Sequence, residues 1–209
     1  MSEQYFWIVR SEILPLLPER TARTLEVGCG SGNTLAWLRQ VRTTEWLGGV
    51  EVSSDAAESA RRNIDQVWQG NIETLNLPID AASLDLVLCL DVLEHLVDPW
   101  SVVRRLSGYL RPGGSLIASL PNIRNMQVLF PLLLKGRWDY REEGILDRTH
   151  LRFFTERSAR ELLGQGGLLV DGVIEHGLGQ SRGSRFVNAL LPRGVRGLFV
   201  RQYLLRGRR

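Results

Sequence analysis

The sequence predicts an α/β fold, a doubly wound sheet of seven strands that is mostly parallel with one antiparallel strand. Short apolar runs alternate with segments of helical periodicity, as expected for strand–helix–strand units. Residues 82–90 are apolar almost without interruption, which is typical of a central parallel strand covered on both faces. The first apolar run ends in a glycine-rich bend and opens at once into a helical pattern. At 209 residues with 44% hydrophobic side chains, the chain can bury the core of a single domain.

The glycine-rich bend spans residues 25–33, which read LEVGCGSGN. Alternate glycines after a strand let bare backbone, and the free N–H groups of a helix start, approach a ligand. The dinucleotide-binding spacing G-x-G-x-x-G needs a glycine where Asn33 stands, so the pattern here is G-x-G-x-G, preceded by Glu26. A strand-to-helix turn that binds nothing is the alternative interpretation.

Polar residues follow three of the predicted strands. Glu51 ends the second strand, where a carboxylate can accept both hydroxyls of a ribose. Asn71 follows the third strand, and the apolar fourth strand runs into Asp91 and His95. Ligands in open α/β sheets bind at the carboxyl ends of the strands, so these side chains are expected around one site.

The remaining elements follow from periodicity and from proline and glycine positions. We expect Thr155 to cap the last helix, with Arg157 preventing a strict capping box. The final strand is expected to be the antiparallel one, reached through an arginine-bearing loop over residues 180–197, and a basic surface helix is the alternative there. The predicted helices cover residues 3–17, 35–41, 53–65, 100–110, 123–135 and 156–165, and the predicted strands cover residues 24–27, 46–52, 66–69, 82–90, 115–120, 168–174 and 198–205.

The order of LEVGCGSGN, LDLVLCLDVLEHL and LRPGG over residues 22–120 resembles the class I methyltransferases that use S-adenosylmethionine (SAM). Further on, PN, GRWDY and LDRTHLRFFT resemble a bacterial subgroup akin to the ubiquinone-pathway O-methyltransferases. The resemblance implies a Rossmann-like fold, SAM as cofactor and S-adenosylhomocysteine as product. It also implies a layout with a capping helix or packing helix over residues 1–20, a SAM-binding core over 21–120, a substrate-covering insertion over 121–155, and a C-terminal helix with the final two strands over 156–209.

The resemblance also assigns cofactor-binding positions. In the family an Asp usually stands at the position of Asn71, whose carbonyl oxygen can replace it toward the adenine amine. An Asx turn is the alternative role of Asn71. The positions expected to bind SAM are Glu26, Gly28, Cys29, Gly30, Gly32, Asn33, Glu51, Val52, Asn71, Ile72, Leu90 and Asp91.

Methyl transfer to a hydroxyl needs a proton acceptor, and a histidine of near-neutral pKa suits that role. His150, in the insertion, is our first candidate for the base and His95 the second, whereas His176 is interpreted as structural. Metal-dependent relatives carry an acid-x-x-Glu-His segment and a later histidine. Asp91, Glu94, His95 and His150 are therefore the alternative, a divalent-cation site, although a metal is not expected.

The net charge of +3 conceals an uneven distribution. All 23 acidic residues precede position 176, and the segment after it is rich in arginine. A solvated basic face, or weak contact with an anionic membrane surface, is favoured there over nucleic-acid binding, because few aromatic residues are interleaved. The chain shows no signal-peptide layout and no apolar run of about 20 residues, and Cys29 and Cys89 suggest no disulfide framework, which together favour the cytoplasm.

These expectations converge on a SAM-dependent methyltransferase that acts on a hydroxyl of a small molecule or of a sugar or cell-surface glycan precursor. A C- or N-methyltransferase on the same fold is the first alternative. A non-catalytic SAM-binding partner subunit is the second. The acceptor and the oligomeric state are not encoded in any motif that we recognise.

Overall fold

Seven strands form one sheet in the computed structural model, which describes residues 8–177 and 192–209. The strands are β1 (Arg23–Val27), β2 (Trp46–Glu51), β3 (Gln66–Gln69), β4 (Leu84–Leu90), β5 (Leu110–Pro121), β6 (Leu169–His176) and β7 (Gln202–Arg208). The helices are α1 (Asn33–Val41), α2 (Ser54–Ala60), α3 (Pro99–Tyr109), α4 (Met126–Lys135), α5 (Glu156–Gln165) and α6 (Arg193–Arg196), with short 3₁₀ helices at Ser11–Leu16 and Leu93–His95.

The strand order β3-β2-β1-β4-β5-β7-β6 confirms the predicted fold class. β7 runs antiparallel to both of its neighbours, and the other pairs are parallel. The chain order turns back between β1 and β4, which opens a crevice at the carboxyl ends of these strands. No helix within the described ranges has the length and apolar character needed to cross a bilayer.

β4 is the central strand that its apolar sequence predicts. All seven of its residues are buried. Leu86 and Leu88 pack into the core on one face of the sheet, and Val87 and Cys89 pack into the core on the other. Apolar side chains thus cover both faces of β4. The strand has little freedom to move, so the position of its last residue at the crevice is fixed.

Within the described residues, the N-terminal helix is shorter than the one predicted over residues 3–17 and is a 3₁₀ helix. The described part of the predicted helix contains the short 3₁₀ helix, and residues 3–7 lie outside the described ranges. Pro15 stands inside this 3₁₀ helix, where it lacks the N–H that an α-helix would use. Ile13 is fully buried, so the segment is still anchored to the sheet.

Several predicted boundaries were also wrong. α2 ends at Ala60 because the chain turns there, and Asn63 in the turn donates through Nδ2 to the carbonyl of Ser31 at 2.8 Å. β5 begins at Leu110, five residues early, since Leu110 pairs with Leu84 before the register shifts. The last strand starts at Gln202, preceded by α6, and most of the predicted arginine-bearing loop lies outside the described ranges.

The start of α5 corrects the prediction about its cap. Thr155 Oγ1 accepts from the backbone N–H of Ser158 at 3.2 Å, and Ser158 Oγ accepts from the N–H of Thr155 at 2.9 Å. This is a complete capping box, because the residue that closes the box is Ser158 and not Arg157.

Two buried asparagines tie the start of the insertion to the approach to β7. Asn122 donates through Nδ2 to the carbonyls of Gly197 and Val200, both at 2.8 Å. Asn125 Nδ2 also donates to Val200 O, at 2.9 Å, while its Oδ1 caps α4. The chain after β5 therefore starts from a fixed point beside the sheet.

Replacement of Asn122 by Ala should lower the free energy of unfolding by about 1–3 kcal/mol, because it leaves buried carbonyl groups without donors. Urea denaturation monitored by circular dichroism measures the change. Gln127→Ala, on the exposed side of α4, is the matched control and should stay within about 0.5 kcal/mol of the wild type. Equal effects of the two substitutions would contradict the anchoring role of Asn122.

Candidate active site

A cavity of ≈ 520 Å³ opens at the carboxyl ends of β1, β2 and β4. This volume lies in the range of pockets that hold small molecules. Besides most of the predicted cofactor positions, residues of the N-terminal segment and of β7 reach into it. The predicted positions that line the cavity are Glu26, Gly28, Cys29, Gly30, Glu51, Val52, Asn71, Ile72, Leu90 and Asp91. The other two, Gly32 and Asn33, form the start of α1.

The glycine-rich bend depends on left-handed backbone. Gly28 has φ +70°, and a Cβ placed there would lie 2.5 Å from Val92 Cγ2. Gly30 has φ +52°. The N–H groups of Gly28 and Cys29 both donate to the carbonyl of Val50, at 2.8 and 3.1 Å. The bend therefore lies close against β2 and leaves the cavity wall without side chains at these points.

The side chain of Glu51, at the end of β2, is hydrogen-bonded to the glycine-rich bend. Its Oε2 accepts from the N–H of Gly30 at 2.9 Å, and its Oε1 accepts from the N–H groups of Val52 and Ser53 at 2.8 and 2.9 Å. The carboxylate is 5% exposed and borders the cavity. Since two carboxylate oxygens offer about four acceptor positions, three bonds leave capacity for a ribose hydroxyl.

Asn71 forms the Asx turn that was the alternative to an adenine contact. Its Oδ1 accepts from the N–H of Glu73 at 2.9 Å. The side chain nevertheless borders the cavity, next to the buried Ile72. An adenine amine would therefore have to share the amide oxygen with the turn.

Glu26 is a buried carboxyl group on the cavity wall. Glu26 is 2% exposed, and its Oε2 has no hydrogen-bond partner within residues 8–177 and 192–209. Burial raises the pKa of Glu26 to about 8, with a further increase from Glu51 and an opposing effect of Arg10. The wall of the cavity thus contains a buried carboxyl oxygen that nothing in the described chain satisfies.

Asp91 is the centre of a polar cluster that the sequence did not reveal. Its backbone is left-handed, with φ +57°. Arg10 Nη1 donates to Asp91 Oδ2 at 2.5 Å, and Ser119 Oγ donates to Oδ1 at 2.7 Å. Gln202 Nε2 also donates to Oδ1, and Arg10 Nε contacts Glu12 at 2.5 Å. This cluster joins the N-terminal segment, β4, β5 and β7 at the cavity.

His95 and His150 lie side by side, with ring centroids 4.7 Å apart. His95 borders the cavity, and its Nδ1 lies 3.2 Å from the carbonyl of Thr149. His150 is 9% exposed, and its Nδ1 lies 3.0 Å from the carbonyl of Ile145. Thr149 Oγ1 also lies 3.0 Å from His95 Nδ1, but this hydroxyl donates its proton to Asp147 Oδ1. Since a carbonyl only accepts, these contacts favour the neutral tautomer with the proton on Nδ1 in both rings, which leaves a lone pair on Nε2.

Burial lowers the pKa of His95 below its usual value, and the neighbouring His150 lowers it further. His95 is therefore neutral near pH 7. His176, interpreted from the sequence as structural, also borders the cavity at the end of β6.

The alternative cation site is only partly assembled. Glu94, His95 and His150 each offer a ligand atom, and these atoms lie within 4.8 Å of one another. Both carboxylate oxygens of Glu94 are buried without a hydrogen-bond partner in the described part of the chain, and burial raises its pKa well above the usual value. Asp91, the fourth candidate, is instead paired with Arg10.

A family model described as a methyltransferase domain matches residues 1–171. The chain belongs to this family. The sheet order and the glycine-rich bend are those of the class I SAM-dependent methyltransferases, the class to which this domain belongs. The lining fits SAM, which carries positive charge, because bare backbone forms part of the wall and Glu26 has a carboxyl oxygen without a partner in the described chain.

Curated relatives agree with this family. The chain is 30% identical over 133 residues to the ubiquinone biosynthesis O-methyltransferase of Acinetobacter baylyi, covering 56% of this chain and 55% of that protein. It is 32% identical over 114 residues to the 27-O-demethylrifamycin SV methyltransferase of Amycolatopsis mediterranei, covering 48% of this chain and 39% of that protein. The chain thus spans about half the length, or less, of the curated relatives that it matches.

Solved structures agree on the fold. A SAM-dependent methyltransferase from Mesorhizobium loti superposes with a TM-score of 0.67 at 18% identity, covering 95% of this chain and 96% of that one. A methyltransferase from Haloferax volcanii, solved in complex with its Trm112 activator, gives a TM-score of 0.68 at 18% identity over 99% and 91% of the two chains.

Replacement of Gly30 by Val should weaken SAM binding by at least about tenfold, because a branched side chain is strained at positive φ and would enter the cavity. Isothermal titration calorimetry measures the affinity. Gly108→Val is the control, since a Cβ at that position meets no atom within 4 Å. Unchanged SAM affinity in the Gly30 variant would contradict the role of the bend.

Proposed function

We propose that this protein transfers the methyl group of SAM to a hydroxyl of a small molecule, a sugar or a cell-surface glycan precursor. The observation that carries the proposal is a neutral histidine, His95, on the wall of the cavity that also contains the glycine-rich bend. The O-methyltransferase names of the curated relatives support oxygen as the acceptor atom. Bound SAM supplies a methyl group on a positively charged sulfur that leaves as a neutral thioether.

The chain's own part in this chemistry is placement and proton transfer. In our proposal the bend and Glu51 hold the adenosyl half of the cofactor, with Ile72 against the base. Holding the donor in line with the acceptor and keeping water away can supply about 7–11 kcal/mol of the barrier reduction. Asp91 and its cluster border the same cavity, and we assign the amino-acid end of the cofactor to them.

His95 is our choice for the base, ahead of His150. Its Nδ1 is held by Thr149, and its remaining nitrogen is free to accept the proton of an acceptor hydroxyl. His150 packs against the edge of the His95 ring and is proposed to position it. The order of these two histidines is thereby the reverse of the one that the sequence suggested.

The insertion is proposed to cover the acceptor. Its return segment is bound beside the cavity, where the N–H groups of Leu151 and Arg152 donate to the carbonyl of Glu94 at 2.8 and 2.9 Å. These bonds bring Thr149 to the cavity wall beside His95. Variation within residues 121–155 would then alter the choice of acceptor while the cofactor site stays unchanged.

The arginine-rich end offers limited support for a membrane or nucleic-acid partner. Arg196 pairs with Glu175, Arg206 pairs with Asp171, and Arg209 donates to carbonyls at the end of α3. Arg182 and Arg185 lie outside the described ranges. We keep weak contact with an anionic membrane surface, and a cytoplasmic location, as proposals.

Replacement of His95 by Ala should reduce the turnover number by about 100-fold or more, because the acceptor hydroxyl loses its base. His150→Ala should reduce it less, since in our proposal that ring acts through His95. SAM affinity, measured by calorimetry, should change little in either variant. Turnover is measured as S-adenosylhomocysteine release over a panel of phenols, sugars and amines, and equal rates for wild type and the His95 variant would exclude His95 as the base.

The pH dependence of turnover provides a separate test. Because the pKa of His95 is lowered, its protonated form accumulates only below pH 6.5. At saturating SAM the turnover number should therefore fall on the acid side with an apparent pKa below 6.5. This acid limb should vanish in the residual activity of the His95→Ala variant, and a limb that persists there would assign it to another group.

A divalent cation is the second candidate for activating the acceptor. The observation that favours it is the cluster of Glu94, His95 and His150, in which both carboxylate oxygens of Glu94 lack a partner among the described residues. In that case EDTA should abolish turnover, and one metal, Mg²⁺, Mn²⁺ or Zn²⁺, should restore it. Full activity in EDTA favours the simple base and removes the cation.

The remaining alternatives differ in what is methylated. A C- or N-methyltransferase would still release S-adenosylhomocysteine with acceptors whose hydroxyl groups are blocked or absent. A non-catalytic partner subunit would bind SAM with no turnover on any acceptor in the panel.

A further inference from the structure

The cavity is strongly acidic for a site that must hold an amino acid and a nucleoside. Its single guanidinium among the described lining residues, Arg10, is already shared by two carboxylates at 2.5 Å each. His95, which also borders the cavity, adds no positive charge near pH 7, because burial lowers its pKa. The lining carboxyl groups are Glu12, Glu26, Glu51, Glu73 and Asp91.

Glu26 differs from the other lining carboxyl groups in having a buried oxygen without a hydrogen-bond partner in the described structure. Glu51 is satisfied by three backbone N–H groups and Asp91 by its cluster. Glu26 lies on β1, directly below the bend, between β2 and β4 in the sheet. It is thus placed to respond to a charge that a ligand brings into the cavity.

The groups that surround Glu26 supply little positive charge. Glu51 on β2 repels an ionised Glu26, and among the described residues only Arg10, from the N-terminal segment, attracts it. The thiols of Cys29 in the bend and Cys89 on β4 are neutral, since burial raises the pKa of each. Without a ligand, the pKa of Glu26, raised to about 8, keeps this carboxyl group mostly protonated at pH 7.

The donor and the spent cofactor differ by one charge. SAM carries a sulfonium, an ammonium and a carboxylate, whereas S-adenosylhomocysteine has lost the sulfonium charge and is neutral overall. We propose that Glu26 is the counter-ion by which this cavity distinguishes SAM from S-adenosylhomocysteine, and that it releases its proton to solvent when SAM binds. The inference rests on the cavity binding SAM, as the proposed function requires.

The sign of the pH dependence follows from this linkage. SAM lowers the pKa of Glu26, so the free protein binds one more proton than the complex between the two pKa values. The dissociation constant of SAM should then fall by up to about tenfold per pH unit as pH rises toward 8. The dissociation constant of S-adenosylhomocysteine should change much less, so product release is favoured after each transfer.

Calorimetry in buffers of different ionisation enthalpy counts the protons released, with no need for turnover. On wild-type protein at pH 7, SAM should release more protons than S-adenosylhomocysteine. Sinefungin, whose amine replaces the sulfonium, should behave like SAM. In Glu26→Gln the difference between the ligands should vanish and the preference for SAM should fall by about tenfold, the factor for one pKa unit. The difference between the proteins cancels any titration of the ligand's own amine.

Glu58→Gln removes the same charge from the exposed side of α2 and should leave both proton counts at wild-type values. Equal proton release for SAM and S-adenosylhomocysteine by the wild type overturns the inference even if the Glu26 variant does not fold. Unequal release that persists in Glu26→Gln overturns it as well. Failure of the wild type to bind SAM refutes the cofactor assignment itself, and SAM binding without turnover refutes only the proposed catalytic function.

Discussion

The hydrogen bonds that join the end of β2 to the glycine-rich bend determine the shape of the cavity. A bend built on glycines is free to adopt many conformations, and this freedom has to be removed before a ligand can be bound selectively. The carboxylate of Glu51 removes it by accepting hydrogen bonds from the N–H of Gly30 in the bend and from the N–H groups of Val52 and Ser53, which follow Glu51 in the chain. Bonds between backbone N–H groups and an ionised acceptor are stronger than neutral ones, so this contact is well suited to organising the site.

The part of the cavity wall around Asp91 is held by side chains from several elements. Residues distant in sequence converge on Asp91, which takes a left-handed conformation at the end of the most buried strand. Each partner comes from another element, Arg10 from the N-terminal segment, Ser119 from β5 and Gln202 from β7. Because all of these bonds share the carboxylate of Asp91, the positions of β7 and of the N-terminal segment at the cavity depend on each other.

The sequence predicts the fold well because hydrophobic periodicity and the glycine spacing are local signals. The central position of β4 followed from such a pattern, whereas the antiparallel direction of the last strand is what the resemblance to class I methyltransferases implies. Two of the errors have local physical causes. Pro15 lies inside the first helix, which is shorter than predicted in the described residues, and Ser158, not Arg157, completes the capping box of α5. The cluster around Asp91 was not predictable, since no spacing along the chain links residues 10, 119 and 202. The relative placement of His95 and His150 was likewise inaccessible, because it depends on how the insertion folds back over Glu94.

The paired asparagines at the start of the insertion have a consequence for evolution and for protein engineering. Asn122 and Asn125 attach that segment to the carbonyls just before β7, and β7 supplies Gln202 to the cavity. If the insertion were exchanged between related proteins, its attachment would be kept only if both asparagines and the segment 197–200, whose carbonyls accept their hydrogen bonds, were transferred together. Diversification of acceptor range is thus expected to proceed by changes beyond position 125, with the attachment point inherited intact.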